Sequence, residues 1–315
     1  CYLFTSLRDQ VNECDMLKGM DVFVVSMLLP IFRRISWKRF VYGIFLIPFV
    51  LFVPWLFATY IIPYNTLYID AAMAVTFAFL LYHYFTSDQD KVTYFILGMG
   101  SAVMILIRPG SEAFALMLLI MIVFDALLFK RAEFGKMCRK GGWLMPVFYI
   151  VISAASYLSW RLFTSANHMM QVFDYIEPSG QDAAASGSIT SNFMAALSKV
   201  PENATIKISF IVWAIVFAVM AFIVILLAKG ARERVRMILM SIFMIAGYIL
   251  YAAALLYMYI HLFTEYEGEN LASFERYMFT FIMGCAIFFL YMIIEKFFAR
   301  FGGFGNILNL VPIAA

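Results

Sequence analysis

Residues 206–228 read IKISFIVWAIVFAVMAFIVILLA, and after Lys207 the run carries no charge. At about 1.5 Å of rise per residue a helix of this length crosses a hydrocarbon layer of about 30 Å. A bilayer interior offers no water to the backbone, so each N–H and C=O must be paired within its own helix. This stretch therefore predicts a membrane helix, and comparable apolar runs lie on both sides of it.

Those runs cover 20–32, 40–62, 67–85, 92–107, 114–129, 143–163, 237–263 and 274–294. With 206–228 they predict an all-α polytopic transmembrane bundle of about nine helices. The first run is short and contains Pro30, which fits the end of a tilted helix or a re-entrant piece. Composition agrees. The chain is 64% hydrophobic and 14% charged with a mean hydropathy of +0.88, against about 45 to 50% and about 25% for a soluble domain. Residues 1–315 read as one transmembrane domain. The chain opens on Cys1 and closes on an apolar run, as a piece of a longer membrane protein would.

The basic residues set the orientation. Arg33, Arg34, Lys38 and Arg39, then Lys91, then Lys130, Arg131, Lys136, Arg139 and Lys140, then Lys229, Arg232, Arg234 and Arg236, then Lys296 and Arg300 all fall on one side when the helices alternate. Cytoplasmic loops retain Lys and Arg, so this side is predicted to face the cytoplasm. The opposite side collects most of the acidic residues, among them Asp70, Glu112, Glu202 and the glutamates between 265 and 275. The protein is thus expected in the plasma membrane with its active side extracytoplasmic.

The longest connection, 164–205, lies on that outer side. Its first part is rich in Pro, Gly and Ser, which is loop chemistry. Thr190-Ser191-Asn192 then precedes Phe193, Met194, Ala196, Leu197 and Val200, an N-cap followed by apolar residues at helical spacing. A short amphipathic helix on the membrane surface is predicted there. Asn203-Ala204-Thr205 matches a glycosylation acceptor pattern that is common by chance.

Several chemistries are absent. No phosphate-cradling Gly-rich loop, HExxH or nucleophile elbow appears, and the short basic loops hold neither a nucleotide fold nor a nucleic-acid module. Cys1, Cys14, Cys138 and Cys285 have neither CxxC spacing nor histidine companions, and His83, His168 and His261 are scattered, so no metal set is defined.

Three outer clusters carry polar chemistry. Arg8 to Asp15 holds Asp9, Glu13 and Asp15, either a solvated loop or a source of a general base for an acceptor hydroxyl. Arg108-Pro109-Gly110-Ser111-Glu112 breaks a helix between two apolar runs. Arg108 there either snorkels to headgroups or offers a planar fork of donors to a phosphate. Third, Glu265, Glu267 and Glu269 alternate, so an extended segment would point all three one way. Ser273 can cap the next helix, whose first turn holds Glu275 and Arg276. A cation at a helix start works against the dipole and calls for another reason, such as a bound phosphate.

The segment Asn270-Leu271-Ala272-Ser273-Phe274-Glu275-Arg276-Tyr277-Met278, with Glu265 and Glu267 before it, resembles bacterial membrane proteins of surface-polysaccharide assembly. Ile105-Leu106-Ile107-Arg108-Pro109-Gly110, followed by another apolar helix, resembles the paired short helices of the GT-C glycosyltransferase superfamily. That resemblance implies transfer of a sugar from a polyprenyl-phosphate carrier to an extracytoplasmic glycan or lipid acceptor. Arg108 and Arg276 would then clamp phosphate, and Asp9, Glu13 or Asp15 would be the base. Glu112, Glu265, Glu267, Glu269 and Glu275 would bind acceptor hydroxyls or a divalent cation. A flippase or transporter of a lipid-linked saccharide, or an oligosaccharide polymerase with polyprenyl-pyrophosphate donors, is the competing reading. Asp125, near the cytoplasmic end of its helix, is the exception to otherwise apolar helix interiors.

Overall fold

A computed structural model describes residues 70–301 apart from 89, 108–109, 168–182 and 203–205, together with Val22, Ser26, Met27 and Leu29. Every element among the described residues is helical. In chain order they are α1 (Asp70–Thr86), α2 (Lys91–Ile107), α3 (Glu112–Leu128), α4 (Arg131–Met137), a π-helical turn Cys138–Gly142, α5 (Leu144–Ala166), α6 (Ala183–Ser198), α7 (Phe210–Leu227), α8 (Ala231–His261), α9 (Glu265–Glu269) and α10 (Phe274–Phe301).

Among the described residues four helices are long and apolar enough to cross a membrane, namely α5, α7, α8 and α10, and the 17-residue α2 is a shorter apolar helix. α1 and α3 are also 17 residues long. Of the two earlier runs, 40–62 lies outside the described residues. From 20–32, Met27 is buried, and its carbonyl accepts from Tyr291 Oη at 3.1 Å.

The interior is organised around α10, 83% of whose apolar window is buried, against 17% for α5. Sequence explains the contrast. α10 presents Phe279, Phe281, Phe288, Phe289 and Tyr291 around its whole circumference, and a helix apolar on every side belongs at a centre. α1 crosses it closely at Gly284, where an added Cβ would stand 3.1 Å from Phe77 Cδ1 and 3.3 Å from the Ala74 carbonyl oxygen. Rings then lock neighbours together: Phe77 to Phe114 at 5.2 Å, Phe114 to Phe281 at 5.5 Å, and Phe210 to Phe279 at 5.1 Å. Outward, Leu162, Ile215, Phe222, Ile249 and Leu250 are exposed, an apolar surface suited to lipid rather than water.

Basic residues gather at one end and tie helix termini together. Lys229 Nζ donates to the Ala299 carbonyl at 2.6 Å, Arg300 to the Leu226 carbonyl, and Arg232 to the Phe129 carbonyl. These are the unpaired carbonyls of the last turns of α10, α7 and α3, where the helix dipole favours cations. Lys296 pairs with Glu233 at the same end. Deeper in, Arg236 makes a two-pronged bond to Asp125, Nε–Oδ1 2.6 Å and Nη2–Oδ2 2.7 Å, and Tyr84 Oη donates to Asp125 Oδ2 at 3.0 Å. The Arg236 guanidinium also lies 4.7 Å from the Phe85 ring centre. α1, α3 and α8 are thereby fastened at the basic end, and the exceptional Asp125 has its partners within the bundle.

A helix does stand in this connection, with an earlier start than expected, at Ala183 rather than after Thr190-Ser191-Asn192. Ala183, Ala184 and Ala185 are strong helix formers and outweigh Gly187. α6 sits on the bundle through Ile189 and Phe193, both buried, with Phe193 5.1 Å from Phe274.

Candidate functional site at the acidic end

The end opposite the basic cluster is built where α1 and α10 begin and α8 finishes, with α6 laid across. Asp70 opens α1 at a helix N-terminus, where a carboxylate is favoured, and is buried. Its Oδ2 stands 3.6 Å from Arg276 Nε, and its Oδ1 accepts from Thr280 Oγ1 at 3.2 Å. Arg276 lies over the Tyr277 ring at 5.0 Å. The guanidinium at the start of α10 thus has a carboxylate and an aromatic face as its counterweights. That is a reason for it to stand there beyond the bound phosphate suggested by sequence.

Beside this pair a cleft of about 450 Å³ opens between α6 and the turn into α10, lined by Ala196, Asn270, Leu271, Ser273, Phe274, Glu275 and Arg276. The turn is strained. Leu271 has φ 47° and Ser273 φ 61°, values that side-chain-bearing residues adopt at a cost. They are held by hydrogen bonds: Tyr259 Oη donates to the Ala272 carbonyl at 2.7 Å, and the Tyr277 N–H to the Ser273 carbonyl at 3.1 Å. This bent backbone turns Glu275 and Arg276 toward the cleft.

Glu275 is the polar group with unfinished bonding. Its carboxylate accepts from the Glu202 backbone N–H and feels the repulsion of the Glu202 carboxylate and the attraction of Lys199 and Lys207. Its Oε2 is enclosed and has no hydrogen-bond partner among the described residues. A buried oxygen without a donor costs free energy, so it invites a hydroxyl, a cation or water. Lys199 and Glu202 flank it as an exposed pair at 2.8 Å. Their hydrogen bond raises the Lys199 pKa and lowers that of Glu202, so both stay charged.

The three alternating glutamates are arranged otherwise than expected. Residues 265–269 form the single helical turn α9, so an extended strand with all three side chains aligned is not what the chain adopts. Glu267 is consumed in a capping box: Thr264 Oγ1 accepts from the Glu267 N–H at 3.3 Å, and Glu267 Oε2 accepts from the Thr264 N–H at 3.3 Å. Glu269 is exposed and lends its backbone carbonyl to Asn192 at 3.3 Å. Glu265 opens the turn. Among the described residues no group of three His, Cys, Asp or Glu could hold a metal ion.

Glu112 stands at the start of α3, where its Oε2 accepts from the Gly110 N–H at 2.8 Å. Gly110 has φ 91°, the conformation that the turn between α2 and α3 requires of a glycine. Ser111 Oγ ties the turn to the Met104 carbonyl at 2.6 Å. Arg108, and Asp9, Glu13 and Asp15, lie outside the described residues. Of the sequence-selected residues, Glu275 and Arg276 meet at the cleft. Sequence reasoning passed over Asp70 as partner to Arg276, although a lone carboxylate opening a long apolar run was the available signal. The chain matches no protein-family model, no curated protein and no solved structure.

Proposed function

We propose that the chain is a membrane glycosyltransferase that moves a sugar from a polyprenyl-phosphate carrier to an acceptor at the acidic end. In this reading it crosses the plasma membrane about nine times, the basic end is cytoplasmic and the acidic end extracytoplasmic. The observation that carries it is the cleft at Glu275. It joins an enclosed carboxylate oxygen that has no donor among the described residues to a neighbouring guanidinium, at the end of an apolar bundle.

The chemistry is a displacement at the sugar's anomeric carbon. The acceptor hydroxyl oxygen forms the new bond, the bond from that carbon to the phosphate oxygen breaks, and polyprenyl phosphate departs with the electron pair. Glu275 accepts a hydrogen bond from the acceptor hydroxyl, and a carboxylate takes its proton. Asp9, Glu13 and Asp15 remain the sequence-based candidates for that base. In this reading the Arg276 guanidinium stabilises the leaving phosphate, and Arg108 remains the sequence-based candidate for a second clamp. A glycan or lipid is the acceptor class.

The test is purified protein in nanodiscs given radiolabelled polyprenyl-phosphate sugars and a panel of glycan and lipid acceptors. Transfer that depends on both supports the proposal. Donor movement between leaflets without transfer would make the protein a flippase instead.

A further inference from the structure

The fastening at the basic end leaves an opening above it. α3 and α8 are clamped by Asp125 and Arg236 and touch again where Met117 covers Gly247 and Phe114 lies 5.5 Å from Tyr251, and two apolar cavities lie along their seam. The lower, about 320 Å³, is bounded by Phe124, Asp125, Leu128, Arg236, Ile242 and Ala246. The upper, about 280 Å³, continues from Phe243 and Ala246 to Tyr251 and Ala254. Both open sideways on the lipid-facing surface, where Phe124 is 59% exposed and Ile242 57%.

Length and charge select an occupant for the lower cavity. From Arg236 to Ala246 helical rise gives about 15 Å, half of a hydrocarbon core of about 30 Å. One phospholipid acyl chain in the leaflet at the basic end has that reach. Arg232, exposed and one turn before Arg236, reaches the carbonyl of Phe129, a residue of the cavity wall. Arg131, Lys136 and Arg139 are exposed on α4 and the π-helical turn that follow Phe129. Exposed cations beside a bilayer surface favour anionic headgroups.

We propose that Arg232, with the lower cavity between α3 and α8, is a seat for one anionic phospholipid of the leaflet at the basic end. Its phosphate rests on Arg232, and one acyl chain fills the cavity beside Phe124, Ile242 and Ala246. The seat is distant from the Glu275 cleft and stands whether or not the protein transfers sugars.

The test uses protein in phosphatidylcholine nanodiscs doped with phosphatidylglycerol or phosphatidylcholine, each carrying the same diazirine-bearing acyl chain. After illumination, cross-linked peptides are mapped by mass spectrometry. Phosphatidylglycerol should label Phe124 to Leu128 and Leu239 to Ala246 at least fivefold more than phosphatidylcholine. Arg232→Gln should bring the two lipids to parity. Ala246→Phe should abolish labelling of these peptides while leaving labelling of α5, with Ile242→Trp replacing it if the first variant does not fold. Equal labelling by the two lipids in the wild type, or undiminished labelling in a folded cavity-filling variant, overturns the seat. So does stronger labelling by a diazirine polyprenyl phosphate, which would make the cavity an isoprenoid site.

Discussion

Arg276 Nε lies 3.6 Å from Asp70 Oδ2 across the acidic ends of α10 and α1, and the aspartate side chain is 3% exposed while the arginine is 26% exposed. The asymmetry predicts asymmetric mutants. Arg276→Ala leaves a buried carboxylate without its cation and should lower stability by about 3 kcal/mol or more. Asp70→Asn keeps a hydrogen-bond partner for Thr280 and leaves a guanidinium that can turn to water, so it should cost about half as much. Melting in detergent measures both. Equal, small losses would show that the pair contributes little to holding α1 against α10.

Asp125 and Arg236 make the corresponding prediction at the basic end. Either Asp125→Asn or Arg236→Met alone should destabilise by about 3 to 5 kcal/mol, because the surviving charge remains enclosed among apolar side chains. The double variant should recover most of that loss. A double variant as unstable as the sum of the two singles would contradict the coupling.

Asp90 starts α2 by accepting from the Thr93 N–H at 2.8 Å, with Thr93 Oγ1 at 2.7 Å. Desolvation pushes its carboxyl up, but these bonds outweigh it and hold the pKa below the ordinary value. A depressed folded pKa stabilises above the unfolded value, near 4 by about the usual aspartate figure, and that contribution is lost as pH falls through the folded one. Asp90→Ala should therefore cost about 1 kcal/mol at pH 7 and much less once acid has protonated the wild-type carboxyl. Melting curves from pH 7 down to about 3 would show the gap narrowing; a constant gap would remove the charge from the cap.

Gly284 faces the Ala74 backbone and Phe77, so Gly284→Leu should prise α1 from α10 at a cost of several kcal/mol, whereas Gly135→Ala, with open space at its Cβ, should be nearly silent. Comparable melting of the two would mean that α1 and α10 do not pack this closely.

The apolar runs showed where helices stand because periodicity and length carry that information directly, as in 206–228. Their ends were harder. α8 begins at Ala231, ahead of the apolar run, because Glu233 accepts from the Lys229 N–H at 2.6 Å and supports a polar first turn. The turn at 265–269 was legible in Thr264-x-x-Glu267, a capping-box pattern, but the alternation of glutamates drew the reading toward an extended strand. Asp70 with Arg276 and Tyr84 with Asp125 were not legible, since each pair joins helices far apart in the chain and depends on how those helices cross. The cleft itself comes from left-handed Leu271 and Ser273, residue types that give no such signal.

Glu275 is where the functional account is most exposed, and the most direct measurement is sugar transfer by purified Glu275→Gln in nanodiscs beside wild type and Glu269→Gln. Glutamine keeps the shape and one acceptor oxygen but loses the charge. The account predicts transfer reduced at least a hundredfold in Glu275→Gln, about 2.7 kcal/mol of lost transition-state stabilisation, with unchanged melting and near-normal transfer in Glu269→Gln. Wild-type transfer matched by folded Glu275→Gln would contradict it.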